Sequence, residues 1–211
     1  MSWPPDWPPG ETIAVVAGGA SAQHIAPQLI GRCRIIAINL SFRLVPSADV
    51  LYAADSGFWR TYRDAHAFRG IKLAPADQRV PGVMEIIIPR DKLGRRVDRM
   101  LREPIGTVGC GGGNGAFQGV NLMAQLRPVR ILLAGVDYCG EHWHGPHPRS
   151  LHNPTAQQFA RWRQMLDAEA ETLRSWGIEV INLSTVSTLR AFPHATIDSI
   201  FASPRPSGIS P

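Results

Sequence analysis

The chain predicts an α/β, Rossmann-like fold, a mainly parallel sheet with helices on both faces, built as a single domain. Three observations carry this expectation. Short apolar runs at residues 12–17, 34–39, 50–55 and 131–135 have the continuous character of strands buried on both faces. Stretches with helical spacing alternate with these runs, the order that gives βαβ units and a parallel sheet. The 211 residues are 44% hydrophobic and 18% charged, enough for one full core, and no shift in composition marks a second domain.

In chain order, residues 1–11 hold four prolines and two tryptophans. Such a segment cannot form a helix. It predicts an extended arm laid through Trp3 and Trp7 on the body or on a neighbouring subunit, the one hint of a homo-oligomer. The domain proper spans residues 12–202, and the Pro/Ser-rich residues 203–211 predict a flexible tail. There is no internal repeat.

The first strand runs directly into Gly18-Gly19-Ala20-Ser21 and a helix predicted over 22–30. Strand, glycine turn, helix is the arrangement that aims backbone N–H groups at a phosphate, although a plain βα turn has the same outline. The second and third strands end on Asn39 and Asp55. These stand where open α/β sheets keep ligand contacts, or else cap turns. Phe58 and Tyr62 share one face of a helix, and residues 71–74 and 83–88 supply further strands. Residues 89–104 form a charged connection expected to cross over the site, with Asp91 to Arg96 reading as a solvated loop.

Residues 106–115 contain six glycines. That many are expected only where the backbone takes positive φ or approaches something closely. A loop cradling a ligand and a bare hinge both fit. Asn114 caps the helix that follows, which buries Phe117, Val120 and Ala124. The strand at 131–135 then opens into a loop bearing Asp137, Tyr138, Glu141, His142, His144 and His147. Asn153 and Pro154 are expected to start the longest helix, stopped by Gly177. A last strand over 178–182 leads to the hydroxyl-rich Ser184, Thr185, Ser187 and Thr188.

The 22 Lys+Arg against 17 Asp+Glu give a net charge of +5, scattered and mostly arginine. This suits an anionic small molecule, and nucleic acid ranks well below it, since no basic stripe with interleaved aromatics occurs. Cys33, Cys110 and Cys139 form an odd set without CxxC spacing, which reads as reduced thiols. The first residues lack the basic and apolar regions of a signal peptide, and no run reaches membrane-spanning length. The expected location is the cytoplasm.

Seven segments recur in a familiar order: VVAGGAS, INLSF, DSGFWRTY, GGGNGAFQGVNLMAQL, ILLAGVDY, HWHGPHP and VINLSTVSTLRAF. Together, over residues 13–192, they resemble a superfamily of nucleotide-dependent transferases. It includes bacterial lipooligosaccharide sialyltransferases, motility-associated Maf glycosyltransferases and 6-hydroxymethylpterin diphosphokinases. Short phage and prophage members of unassigned activity are the most similar. The resemblance implies a Rossmann-like domain that moves a group from a nucleotide. It implies nucleotide contacts at Gly18, Gly19, Ser21, Asn39, Gly113, Asn114 and Gly115, a donor-phosphate contact at Tyr138 and a downstream histidine as general base. The chain is shorter than the sialyltransferases and lacks their lid, so it departs from sialic acid transfer.

Four of the seven histidines, His142, His144, His147 and His152, fall in one short segment. An imidazole titrates near neutrality and can take a proton from a hydroxyl acceptor, a role that His147 or His152 would fill with Asp137 nearby. The alternatives are a transition metal held by His142, His144 and His147 with Asp137 or Glu141, and a purely structural loop; no metal ligand is assigned. The leading expectation is a glycosyltransferase using a nucleotide sugar and a hydroxyl acceptor. An ATP-dependent pyrophosphokinase is second, and only this alternative implies Mg²⁺, held by carboxylates such as Asp55 or Asp137. Third is a non-catalytic phage nucleotide-binding or morphogenetic protein.

Overall fold

A computed structural model of the protein describes residues 2–202; the predicted flexible tail lies outside the described residues. The elements in chain order are β1 (Thr12–Val16), α1 (Ala22–Ile25), β2 (Arg34–Ile38), β3 (Val50–Tyr52), α2 (Ser56–Thr61), β4 (Ile71–Pro75), β5 (Met84–Ile86), α3 (Gly115–Ala124), β6 (Arg130–Ala134), α4 (Ala156–Ala168), α5 (Ala170–Ser175), β7 (Glu179–Asn182) and α6 (Ile197–Phe201). Five short 3-10 segments join them.

The strands form one seven-stranded sheet in the order β5-β4-β3-β2-β1-β6-β7, and every neighbouring pair is parallel. The α/β, Rossmann-like expectation is therefore met. Alternate residues of each strand face opposite layers. Ile13 and Val15 join one core with Phe117, Val120, Leu166 and Leu173, while Ala14 and Val16 join the other with Leu29, Phe58 and Trp59. Both faces of the sheet are buried, which is why the strands read as continuous apolar runs and not as alternating ones.

The chain winds outward from β1 to β5, then returns to lay β6 on the other side of β1. The crevice between β1 and β6 is thus the point where the winding reverses, the usual ligand position in open α/β sheets.

Several local expectations shift. The helix expected over 22–30 is one α-turn that tightens into a 3-10 segment at Ala26–Leu29, with Pro27 at its start. The long helix begins two residues later than Asn153-Pro154 implied. Thr155 is its cap, and Gln158 completes a reciprocal capping box. It also breaks at Glu169, whose Oε1 accepts from Met100 N at 3.0 Å and so ties the break to the 89–104 connection. That connection does not cross the site. It follows the β5 edge and packs on α3, with Leu101 N donating to Asn121 Oδ1 at 3.0 Å. None of its residues lines the cavity described below.

The arm rests on its own body. Trp3 and Trp7 pack against the α3 side of the core, and the Arg34 guanidinium sits over the Trp7 ring at 5.3 Å. The three cysteines are free thiols. Among the described residues, no helix is long and apolar enough to cross a membrane.

Candidate functional site

A cavity of about 160 Å³ opens at the carboxyl ends of β1, β2 and β6. Its wall includes Gly18, Gly19 and Asn39 from the first two strand ends, Gly113, Asn114 and Gly115 from the second glycine turn, and Asp137 and Tyr138 from the third strand end. His142, His144, His147 and His152 complete it. Two glycine turns and a histidine loop, far apart in the chain, thus share one wall. The volume is below the ~300–1,000 Å³ of sites for drug-sized ligands. It is on the scale of a phosphate or a single sugar ring.

Asp137 explains the shape of the first turn. Its Oδ2 accepts from Ser21 N at 2.9 Å and its Oδ1 from Ser21 Oγ at 2.7 Å. The carboxylate therefore stands where a phosphate was expected, at the start of α1. A Cβ on Gly19 would overlap it, so that glycine makes room for Asp137. Asp137 is 2% exposed with both oxygens engaged. It ties the end of β6 to the turn after β1, and both the N–H and the hydroxyl of Ser21 are engaged with it. The hydroxyl-rich loop after β7 adds to this tie: Ser187 Oγ donates to Val136 O at 2.8 Å, and Thr188 N to Asp137 O at 2.9 Å.

The second glycine turn is largely shaped by the protein itself. Gly111 has φ +55° and lies against the Phe117 ring, where any side chain would collide. Gly112 O accepts from Trp162 Nε1 at 3.1 Å. The cavity end of this turn differs. Asn114 caps α3, accepting from Phe117 N at 2.8 Å and from the Tyr138 hydroxyl at 2.8 Å. Gln118 N closes the turn on Asn114 O. Among the described residues the N–H groups of Gly115 and Ala116 have no partner, and both residues line the cavity. Unpaired first-turn donors and the positive end of a ten-residue helix form an anion cradle. Of the two glycine turns, only the second leaves helix-start N–H groups open toward the cavity.

Tyr138 and Asn39 hold left-handed backbone, with φ of 51° and 53°. Such strain in non-glycine residues costs of order 1–3 kcal/mol and persists where the surroundings impose it. Both residues line the cavity. Burial pushes the Tyr138 phenol far above its ordinary value, so its hydroxyl stays protonated and engaged with Asn114. Asp55 takes the other course open to it: it is exposed and outside the cavity, and its Oδ1 caps α2 by accepting from Gly57 N at 2.6 Å.

The histidine loop folds back on the first glycine turn. Trp143 N donates to Gly18 O at 3.0 Å, and His142 Nδ1 lies 3.1 Å from the same oxygen. A carbonyl only accepts, so Nδ1 carries the proton and the neutral ring keeps its Nε2 lone pair. His147 instead has Nδ1 against the Tyr62 hydroxyl at 3.0 Å, which can donate or accept. His152 is exposed, and its Nε2 donates to Gln158 Oε1 at 2.8 Å, an oxygen already held by Thr155 N. That makes it a clip on the start of α4 as well as part of the cavity rim. His142 was expected in this loop only as a metal ligand or a structural residue, not as the base, and the contact of Tyr62 with His147 was not expected.

The rings of His142, His144 and His147 stand 4.7–5.1 Å apart, centre to centre. Among the described residues no set of three His, Cys, Asp or Glu side chains is arranged to hold a metal ion. Burial, reinforced by the neighbouring imidazoles, lowers His144 and His147 to about 4, and burial also lowers His142. All three are therefore neutral at pH 7. Unfolding releases His144 and His147 to titrate near 6.5, so between the two values the unfolded chain binds more protons. Stability should be full above pH 6.5, fall as the pH drops to about 4, and level off below that. With allowance for the half-exposure of both rings, the loss is about 1–2 kcal/mol for the pair. Thermal melts at pH 7.5 and 4.5 check this: a His144→Gln/His147→Gln double variant should lose clearly less than wild type. An equal loss would place the acid sensitivity elsewhere.

Compared with protein-family models, with curated proteins and with solved structures, the chain gives no match in any of the three.

Proposed function

We propose that the protein is a nucleotide-dependent transferase of the glycosyltransferase kind, moving a sugar from a nucleotide sugar to a hydroxyl acceptor. The observation that carries this reading is one cavity bordered both by the unpaired N–H groups of Gly115 and Ala116 and by a neutral imidazole with its basic nitrogen fixed. The first arrangement favours an anion that gains charge as it leaves, and the second favours a proton acceptor. In the reaction, the acceptor oxygen bonds to the anomeric carbon of the sugar while its proton passes to His142 Nε2. The bond from that carbon to the phosphate oxygen breaks, and the electron pair leaves with the nucleotide, steadied at the start of α3. Asn39, Gly18 and Gly113 border the space for the rest of the donor, and Asp137 and Tyr138 hold the walls in place.

The Mg²⁺-dependent pyrophosphokinase reading has less support. Of its two expected carboxylates, Asp55 lies outside the cavity and Asp137 is engaged by Ser21. The discriminating measurement is thermal shift with CMP, UDP, GDP and ATP, each with and without Mg²⁺. The transferase reading expects a rise in Tm with CMP or UDP in the absence of metal. Stabilisation by ATP with Mg²⁺ alone would turn the assignment to the pyrophosphokinase, and no stabilisation by any nucleotide would turn it to a non-catalytic phage protein.

A further inference from the structure

A second concavity lies between α2 and the turn after β4, with a volume of about 580 Å³. Arg60, Arg63 and Arg79 line it, over a floor that includes Trp59 and Pro81, and no acidic residue is in its wall. Among the described residues none of these three guanidinium groups has a carboxylate within 4 Å, whereas the nearby Arg43 and Arg96 are paired with Asp64 and Asp77. Like charges gathered without counter-charge repel, and the planar guanidinium matches phosphate oxygens two at a time.

Arg79 closes the 3-10 turn Ala76–Gln78 with φ of 49°, in the left-handed region, where glycine would sit without strain. Arg60 is pre-oriented, with Nη1 donating to Ser56 Oγ at 2.9 Å. Gln78 Oε1 fixes the adjoining wall by accepting from Ser56 N at 3.0 Å.

We propose that this groove binds the phosphate group of a small phosphorylated ligand, clamped by Arg60, Arg63 and Arg79. The site is separate from the α3 cradle and stands independently of the transferase reading.

The test is calorimetric titration of the full chain with inorganic phosphate and with pyrophosphate. Saturable binding is expected, at least tenfold weaker in Arg79→Gly and in Arg63→Gln. Arg79→Gly also relieves the left-handed strain, so its Tm should equal or exceed that of wild type, which separates lost binding from lost folding. Binding undiminished in both variants would place the phosphate elsewhere, at the start of α3, and overturn the proposal. Absence of binding by either anion at millimolar concentration would do the same. So would tighter binding of a single-stranded oligonucleotide that is lost in the same variants, since the groove would then belong to a nucleic-acid footprint.

Discussion

On the proposed transferase reading, His142→Gln should lower release of nucleotide from a nucleotide-sugar donor by about two to four orders of magnitude, the range for removing a positioned general base. The glutamine amide can still donate to Gly18 O, where His142 Nδ1 now sits at 3.1 Å, so the loop keeps its attachment to the first glycine turn. What is lost is the lone pair on the far nitrogen. Nucleotide binding, read by thermal shift, should therefore change little while turnover collapses. His152→Gln removes only the clip on Gln158 and should leave turnover within a few-fold. The reverse pattern, with His142→Gln active and His152→Gln dead, would return the base to the segment ahead of α4.

For Asp137→Ala the expected readout is stability. The substitution strips both acceptors from Ser21 and leaves an N–H and a hydroxyl without partners beside a 2%-exposed position. Losing two hydrogen bonds to a charged group in such a place costs about 2–4 kcal/mol. For a domain of this size that is a fall of about 5–15 °C in Tm. Asp137→Asn keeps one acceptor and should fall between. If Asp137→Ala melts with wild type yet loses turnover, Asp137 acts in the chemistry and the positioning role is wrong.

These two residues show how far the sequence could be read. The strands were legible because burial on both sheet faces leaves unbroken apolar runs; their ends fell within one or two residues of expectation except in β3, which stops at Tyr52, three residues short of Asp55. Asn114 was legible as a cap because its side chain answers a donor three residues away. Capping at Asn153 was misplaced because Thr155 with Gln158 closes two bonds where Asn153 offered one. Glu169 interrupts the long helix through a partner at Met100, which no local pattern announces. The proximity of the glycine turns to the histidine loop was an inference from sheet topology, and the cavity does bring Gly18, Asn114 and His147 together.

The residue types thus determined the α/β class, the strand positions and the segments that carry polar groups at strand ends, since these follow from local periodicity and turn chemistry. Only the tertiary structure decided what each polar group does. Ser21 and Asp137 satisfy one another across 116 positions, Tyr138 meets Asn114, Asp55 turns to its own helix, and His142 finds Gly18. Hydrogen bonds between distant segments settle which donors and acceptors remain for a ligand, and spacing along the chain holds no record of them.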